Sequence, residues 1–139
     1  MLSFCAHPRG DYLNTPPTAA LTALPSSYYS RAFQIVHKLL DGEPEFFVFT
    51  DDPIHADTIL PAGLSVISVT TPRERPWEDM HLMSLCHHNI IANSSYSWWG
   101  AWLNSNPEKL VVAPRCWLSP HGLRATNTCD LVPETWMVM

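Results

Sequence analysis

The chain has 139 residues, of which 46% are hydrophobic and 15% are charged, enough apolar material for the core of one domain. The formal net charge of −5 argues against a broad electrostatic surface for nucleic acid. We find neither a signal peptide nor an apolar run long enough to span a bilayer. We therefore expect a cytoplasmic chain, or one held at the membrane periphery.

The four cysteines are widely spaced and form no Cys-x-x-Cys pair. We interpret them as reduced, buried residues rather than as a disulfide framework. His81, Cys86, His87 and His88 lie close together in the sequence, but no second pair of ligands follows at the spacing that zinc sites use. We therefore interpret these four residues as ordinary packing or surface residues and not as a zinc site.

The amino-terminal part begins with a predicted strand over residues 2–6. A proline and a glycine then interrupt regular structure, so that Arg9 and Asp11 lie just past the carboxyl end of this strand. An arginine in that position can bind phosphate through two hydrogen bonds. The alternative is an exposed ion pair between Arg9 and Asp11, which contributes little energy.

A plausible long loop over residues 13–25 leads to a predicted helix over residues 26–40, capped by Ser26 or Ser27. The apolar residues of this segment recur at helical spacing, on one face. Packing is the role that this pattern indicates.

Two adjacent carboxylates follow the next predicted strand, which covers residues 45–50. Asp51 and Asp52 lie at its carboxyl end, where parallel sheets bind ligands. They could accept hydrogen bonds from sugar hydroxyls or a base edge, or ligate a divalent metal. Alternatively, one of them caps a short helix that begins at Pro53; capping and binding are compatible.

A third strand is predicted over residues 64–69, and a polar, proline-bounded loop separates it from a helix over residues 77–86. Asp79 lies in the first turn of this helix, where a carboxylate interacts favourably with the helix dipole. The same side chain would reach a cleft if the helix began beside one.

The central stretch is His87–Leu103, HHNIIANSSYSWWGAWL. It predicts a buried strand, a turn at Asn93-Ser94-Ser95 and a helix that begins at Tyr96. Because the helix is apolar on nearly all sides, we expect it to be covered on both sides. Its amino end combines free N–H groups, the positive end of the helix dipole and two serine hydroxyls, which together suit an anion or phosphate. The alternative is two serines that only cap a core helix.

A further strand is predicted over residues 109–113, and a loop and a tail over residues 128–139 follow. Strands alternate with helices throughout, which is typical of an α/β fold with a largely parallel sheet. The length predicts a single domain over residues 1–139.

Residues 79–104, DMHLMSLCHHNIIANSSYSWWGAWLN, resemble the α-1,2-fucosyltransferases, the GDP-fucose-dependent enzymes of glycosyltransferase family 11. The following KLVVAPRCWL resembles the family's next strand and its Pro–Trp loop. The upstream EFFVFTDDP resembles its strand ending in a Ser/Thr-Asp-Asp element, and SSYYSRAFQIV resembles its Tyr-Tyr helix. The resemblance covers nearly the whole chain.

The chain departs from the family's first donor-binding motif, which has the pattern His-x-Arg-Arg-Gly-Asp-Tyr. The chain matches that pattern only from its second arginine, Arg9, onward. Pro8 replaces the first arginine, and Ala6 stands where the histidine belongs, with His7 displaced by one position. The departures affect the phosphate contacts that the first arginine and the histidine would supply, and Arg9 remains the arginine expected on the diphosphate.

The family resembles two-lobed, GT-B-like enzymes, in which the carboxyl lobe binds GDP-fucose and the amino lobe helps to form the acceptor side. The resemblance therefore implies a Rossmann-like parallel sheet with helices on both faces, with residues 1–139 as the donor-binding lobe alone. We expect the amino-terminal lobe to be absent, which leaves three explanations: a fragment, a split gene product or a decayed copy. An apolar surface that this lobe normally covers would cause self-association or poor solubility.

The resemblance implies transfer of L-fucose from GDP-fucose to a hydroxyl of a galactoside or another glycan acceptor, with inversion and without a metal or other cofactor. Such a reaction needs charge stabilisation of the departing diphosphate and a base near the acceptor hydroxyl. The implied catalytic residues are Arg9, on the diphosphate, and Asp11, which would orient Arg9 or act as the base. The implied donor-binding residues, whose individual contacts stay open, are Asp51, Asp52, Asp79, Asn93, Ser94 and Ser95.

Two other hypotheses stay open. A degenerate nucleotide-sugar-binding remnant without catalysis would keep the fold, and the altered first motif favours it. An unrelated α/β module, for example a flavodoxin-like binding domain, would show no preference for guanine nucleotides.

Overall fold

The computed structural model of the protein describes residues 3–8, 20–21, 23–40, 42, 44–72, 74–123 and 127–139. Strands and helices alternate along these residues. The strands are β1 (Ser3–Ala6), β2 (Glu45–Phe49), β3 (Val66–Val69), β4 (His88–Ile90), β5 (Val111–Ala113) and β6 (Met137–Val138). The helices are α1 (Ser26–Leu39), α2 (Pro53–Ile59), α3 (Pro76–Leu85), α4 (Ser95–Leu103) and α5 (Pro120–Leu123). None of the described helices has the length and apolar character of a membrane-spanning segment.

The strands form one parallel sheet in the order β3-β2-β1-β4-β5-β6. The chain begins in the middle of the sheet, moves outward to β3 and then returns to the other side of β1. This order is that of nucleotide-binding Rossmann folds, in which the loops after the two central strands diverge and leave a crevice. The predicted α/β fold with a Rossmann-like parallel sheet is thus confirmed.

One face of the sheet packs against α1 and α2 through a cluster of aromatic and aliphatic side chains. The ring of Phe46 lies 5.5 Å from that of Phe4 and 4.4 Å from that of Phe33, centroid to centroid. Tyr28 adds a polar connection, since its hydroxyl donates to the carbonyls of Ile91 at 2.7 Å and Val112 at 3.1 Å. Helix α1 is therefore fixed over the centre of the sheet.

The other face packs against α3 and α4, which lie close together at Gly100. A Cβ atom at this position would lie 2.8 Å from the Cβ of Met83, so only glycine allows this helix spacing. Below the helices, the Asn104 amide donates to the carbonyl of Cys86 at 2.7 Å and to the side chain of Asn89 at 2.8 Å. The helices thus cover both faces of the sheet, as predicted.

Two local predictions about helices are wrong. Helix α1 has Pro25 at its N-cap position and no side-chain cap, because the extended backbone of this proline already sets the start and places Ser26 inside the first turn. Helix α4 is not covered on both sides: Trp99 and Trp102 are 47% and 51% exposed, since they lie on its outward face. The tail also contributes a short strand, β6, which the sequence analysis did not predict.

Candidate functional site

The carboxyl ends of the parallel strands assemble the candidate site at one edge of the sheet. A cavity of about 540 Å³ lies there, beyond the ends of β1, β2 and β3, within the range of about 300–1,000 Å³ typical of small-molecule sites. Its inner wall is apolar, formed by Phe49, Val69 and Met83. The polar residues that line it come from β3, from the strand ends and from α3 and α4: His7, Thr50, Asp51, Ser68, Thr70, Thr71, Asp79 and Tyr96.

Asp79 carries the clearest chemical signal in this cavity. It lies in the first turn of α3 and is half-buried. Its Oδ1 atom is buried and has no hydrogen-bond partner among the described residues. Since a buried polar oxygen without a partner costs free energy, this carboxylate suits a ligand that donates hydrogen bonds.

The two adjacent aspartates after β2 have different surroundings. Asp52 is the N-cap of α2, and its Oδ1 accepts from the backbone N–H of His55 at 3.0 Å, which confirms the capping alternative for this residue. Thr50 supports the same turn, because its hydroxyl accepts from the Asp52 N–H at 3.1 Å. Asp51 is exposed and lines the cavity, so of the two only Asp51 faces the candidate ligand space.

Asn93 holds the turn between β4 and α4. It is 2% exposed, and its amide donates to the carbonyl of Trp117 at 3.1 Å. The turn is thereby tied to the loop that follows β5. This placement favours a role in shaping the turn, and Asn93 does not line the cavity.

The serines of the turn are not used as a conventional cap. Ser94 occupies the N-cap position of α4 but makes no side-chain cap hydrogen bond, and Ser95 is exposed. Ser97 stabilises the turn instead, because its hydroxyl accepts from the Ala92 N–H at 3.2 Å and donates to the Ser94 carbonyl at 3.3 Å. The N–H groups of a first helical turn have no acceptor within the helix, so the amino end of α4 keeps the character of an anion site.

His7 and Tyr96 connect the parts of the site, although the sequence analysis did not assign them to it. His7 directly follows β1, is 4% exposed and lines the cavity. Its ring lies 5.6 Å from that of Tyr96, whose hydroxyl donates to the carbonyl of Pro76 at the start of α3. The position of His7, first after a central strand, was the available signal; the contact with Tyr96 depends on tertiary structure.

The predicted catalytic residues Arg9 and Asp11 lie outside the described residues. The other predicted site residues all lie near the carboxyl edge of the sheet, in the turns after β2 and β4 or in the first turn of α3 or α4. The structure therefore groups Asp51 and Asp79 in one cavity and places Ser94 and Ser95 at the neighbouring helix end.

His87 and Cys86 lie before β4, away from this edge. Within the described residues, no group of three or more His, Cys, Asp or Glu side chains could hold a metal ion. His87 Nδ1 hydrogen-bonds with the hydroxyl of Ser3 at 2.9 Å, and burial raises the pKa of Cys86 to about 11. Cys86 is buried as predicted, but Cys116 and Cys129 are exposed, because they lie in surface loops rather than in the sheet.

The comparisons with known proteins agree with this geometry. Residues 4–125 match the family model Glycosyl transferase family 11. The chain is 37% identical over 131 residues to the O-antigen biosynthesis glycosyltransferase WbnK of Escherichia coli, an alignment that covers 93% of this chain and 41% of that protein. It is 31% identical over 134 residues to an alpha-1,2-colitosyltransferase of Escherichia coli, with coverage of 93% and 44%.

No solved structure matches the chain significantly. The chain spans about two fifths of the length of the curated relatives that it matches. The family match covers almost all of the chain, from the first strand of the sheet to the last helix. The chain belongs to glycosyl transferase family 11.

Proposed function

We propose that this chain is the donor-binding lobe of a glycosyltransferase and that it binds GDP-fucose, or a closely related GDP-sugar, at the carboxyl edge of its sheet. The observation that carries the proposal is Asp79, which lines a cavity next to the amino end of α4 and whose buried Oδ1 has no hydrogen-bond partner among the described residues. A hydrogen-bond acceptor for a base or sugar and an anion site for a diphosphate then lie side by side.

Electrostatic interactions determine which part of the donor binds at each part of the site. Carboxylates repel a diphosphate, so Asp51 and Asp79 face the guanine base and the sugar hydroxyls, which donate hydrogen bonds. The diphosphate lies at the amino end of α4, near Ser94 and Ser95, where the helix dipole favours negative charge. Arg9 is the proposed cation on the diphosphate, through paired hydrogen bonds.

The proposed reaction is the transfer of L-fucose to the 2-hydroxyl of a galactoside or related glycan, with inversion and without a metal. Charge develops on the departing diphosphate, and the amino end of α4 and Arg9 stabilise it in the transition state. Asp11 is the candidate base for the acceptor hydroxyl. The name of the second relative supports an α-1,2 linkage and makes a colitosyl group the alternative to fucose.

Calorimetric titration of the purified chain with GDP in the presence of EDTA tests the proposal, with ADP as the base-specificity control. We expect metal-free binding that prefers GDP and that weakens in Arg9→Ala and in the double variant Ser94→Ala/Ser95→Ala. Equal binding of ADP would contradict the guanine assignment. Absence of binding by a well-folded chain would contradict a working donor site.

A nucleotide-sugar-binding remnant is the second candidate function. Pro8 and Ala6 occupy the positions of an arginine and a histidine in the family's first motif, which favours this alternative. A transfer assay with GDP-fucose and lactose separates the two. Formation of a fucosylated product supports catalysis by this chain, whereas GDP binding without product supports the remnant.

A further inference from the structure

The cavity at the carboxyl edge of the sheet has one apolar side. Phe49 and Met83 belong to a buried cluster against which Val69 and Tyr96 pack, and all four residues line the cavity. Phosphates and sugar hydroxyls find no hydrogen-bond partners on such a surface. A planar base is the part of a nucleotide sugar that packs well on apolar and aromatic side chains. The apolar side of the cavity therefore favours the base of the donor.

Asp79 lies next to this apolar surface. It precedes Met83 by four residues in α3, and side chains at that spacing are neighbours on one face of a helix. Oδ1 of Asp79 has no hydrogen-bond partner among the described residues, so this oxygen breaks no bond to them when the carboxylate turns toward a ligand. An ionised carboxylate only accepts hydrogen bonds, and its two oxygens accept from two adjacent donors. Asp79 therefore suits a base edge with paired N–H groups.

Guanine has such an edge, because its N1–H and its 2-amino group are adjacent donors. Hypoxanthine keeps the N1–H but lacks the amino group, and adenine places an acceptor at N1. Xanthine has an oxygen in place of the 2-amino group, and a carboxylate repels this oxygen. Guanine is therefore the only one of these bases that satisfies both oxygens of a carboxylate through this edge.

The other carboxylate of the cavity has different surroundings. Asp51 lies in the turn after β2 and is exposed, whereas Asp79 is half-buried. A carboxylate in contact with water binds sugar hydroxyls, which are themselves well hydrated, at little cost in desolvation. The position of Asp51 thus favours a sugar, and the position of Asp79 favours the base.

We propose that Asp79 recognises the guanine base of the donor, accepting from its N1–H and its 2-amino group, and that Asp51 accepts from sugar hydroxyls. This assignment rests on the proposed GDP-sugar site and specifies which part of the donor each carboxylate binds. A base without the amino group leaves one oxygen of Asp79 unpaired, and a site built for a hydrogen bond discriminates strongly against a ligand that lacks it.

Calorimetric titration with GDP, IDP and XDP, the diphosphates that carry guanine, hypoxanthine and xanthine, tests this assignment. The unmodified chain should bind GDP at least about tenfold more tightly than IDP, and XDP most weakly. Asp79→Asn should bind XDP more tightly than GDP, since the asparagine amide donates to the 2-oxygen and accepts from N1–H. Asp51→Asn should weaken the three diphosphates equally. Asp57→Asn, at an exposed position of α2, is the matched control and should bind all three like the unmodified chain.

A reversed preference in Asp79→Asn would support the assignment, because partial unfolding would weaken all three diphosphates and could not create affinity for XDP. Equal weakening of the three by Asp79→Asn, or a reversed preference in Asp51→Asn, would overturn the assignment while leaving the GDP site in place. Absence of GDP binding by the well-folded unmodified chain would instead contradict the proposed function, and the assignment with it.

Discussion

The two halves of the sheet differ in how completely they are enclosed. Every residue of β4 and β5 is buried, whereas three of the four residues of β3 are exposed. The half with β4 and β5 leads into the turn before α4 and is covered on both faces. The half with β2 and β3 contains the cavity, Asp51 and Asp79. The enclosed half therefore sets the geometry of the turn before α4, and the open half supplies most of the side chains that line the cavity.

Hydrogen bonds from side chains to the backbone connect the elements of the enclosed half. The Lys109 ammonium donates to the carbonyls of Ala101 at 2.9 Å and Asn104 at 2.7 Å, at the end of α4 where carbonyls lack partners within the helix. Tyr28 connects α1 to the residue after β4 and to the middle of β5. Substitutions in the enclosed half should therefore lower stability, and substitutions in the cavity should lower affinity.

Asp79→Asn should have the largest effect on ligand binding. It removes the negative charge and one acceptor oxygen from the cavity, so we expect GDP affinity to fall about tenfold or more, or at least ~1.4 kcal/mol. The free energy of unfolding should not fall, because the buried oxygen has no partner among the described residues. Calorimetry and thermal unfolding check both values. Asp57→Asn, at an exposed position of α2, is the control and should bind GDP normally.

Lys109→Met should lower stability and leave GDP affinity unchanged, the reverse of Asp79→Asn. It keeps the aliphatic part of the side chain but removes the charged cap of α4, which should lower the free energy of unfolding by about 2 kcal/mol. GDP affinity of the folded protein should stay the same, since Lys109 lies at the far end of α4 from the anion site. Denaturant unfolding measures the loss. A variant of normal stability with weak GDP binding would reverse the assignment of the two halves.

Tyr28→Phe should cause a smaller loss of stability. It removes the hydroxyl that donates to two buried carbonyls while keeping the ring in the core, so a destabilisation of about 1 kcal/mol is expected. Thermal unfolding monitored by circular dichroism measures it. An unchanged midpoint would show that the two carbonyls are satisfied without Tyr28.

A pH dependence at His88 should be the smallest effect. Burial, and secondarily His87, lower the pKa of His88 below its ordinary value of 6.5, and its Nδ1 accepts from the Leu110 N–H at 2.9 Å. As the pH falls, His88 therefore binds a proton at a higher pH in the unfolded chain than in the folded chain. Its stabilising contribution is complete above pH 6.5 and is lost as the pH falls below that value toward the pKa of the folded state.

Comparison of His88→Gln with His81→Gln, at an exposed position of α3, isolates this effect. Denaturant unfolding across the acid range should show a shallower pH dependence for His88→Gln than for the unmodified chain, and no change for His81→Gln. Equal slopes in all three proteins would contradict the assignment to His88.

The sequence predicts the features that depend on local pattern. Alternation of apolar strands with helices correctly predicts the parallel α/β sheet, and the sequence Asp52-Pro53 predicts the cap of α2. The features that depend on contacts between distant parts of the chain cannot be predicted from this pattern. Exposure of Trp99 and the ring contact between His7 and Tyr96 arise from the way in which α4 lies on the sheet. A hydrophobic pattern specifies that a helix is apolar, but not how much of its surface a neighbour covers.

The most direct test of the central claim is amide hydrogen exchange of the chain with and without saturating GDP. The claim predicts added protection where β2 meets α2, at the start of α3 and in the first turn of α4, around residues 50–52, 77–79 and 95–98. The opposite edge of the sheet, around residues 108–110, should be unchanged. Protection confined to that opposite edge, or an equal change with ADP, would contradict a guanine-nucleotide site at the open half of the carboxyl edge.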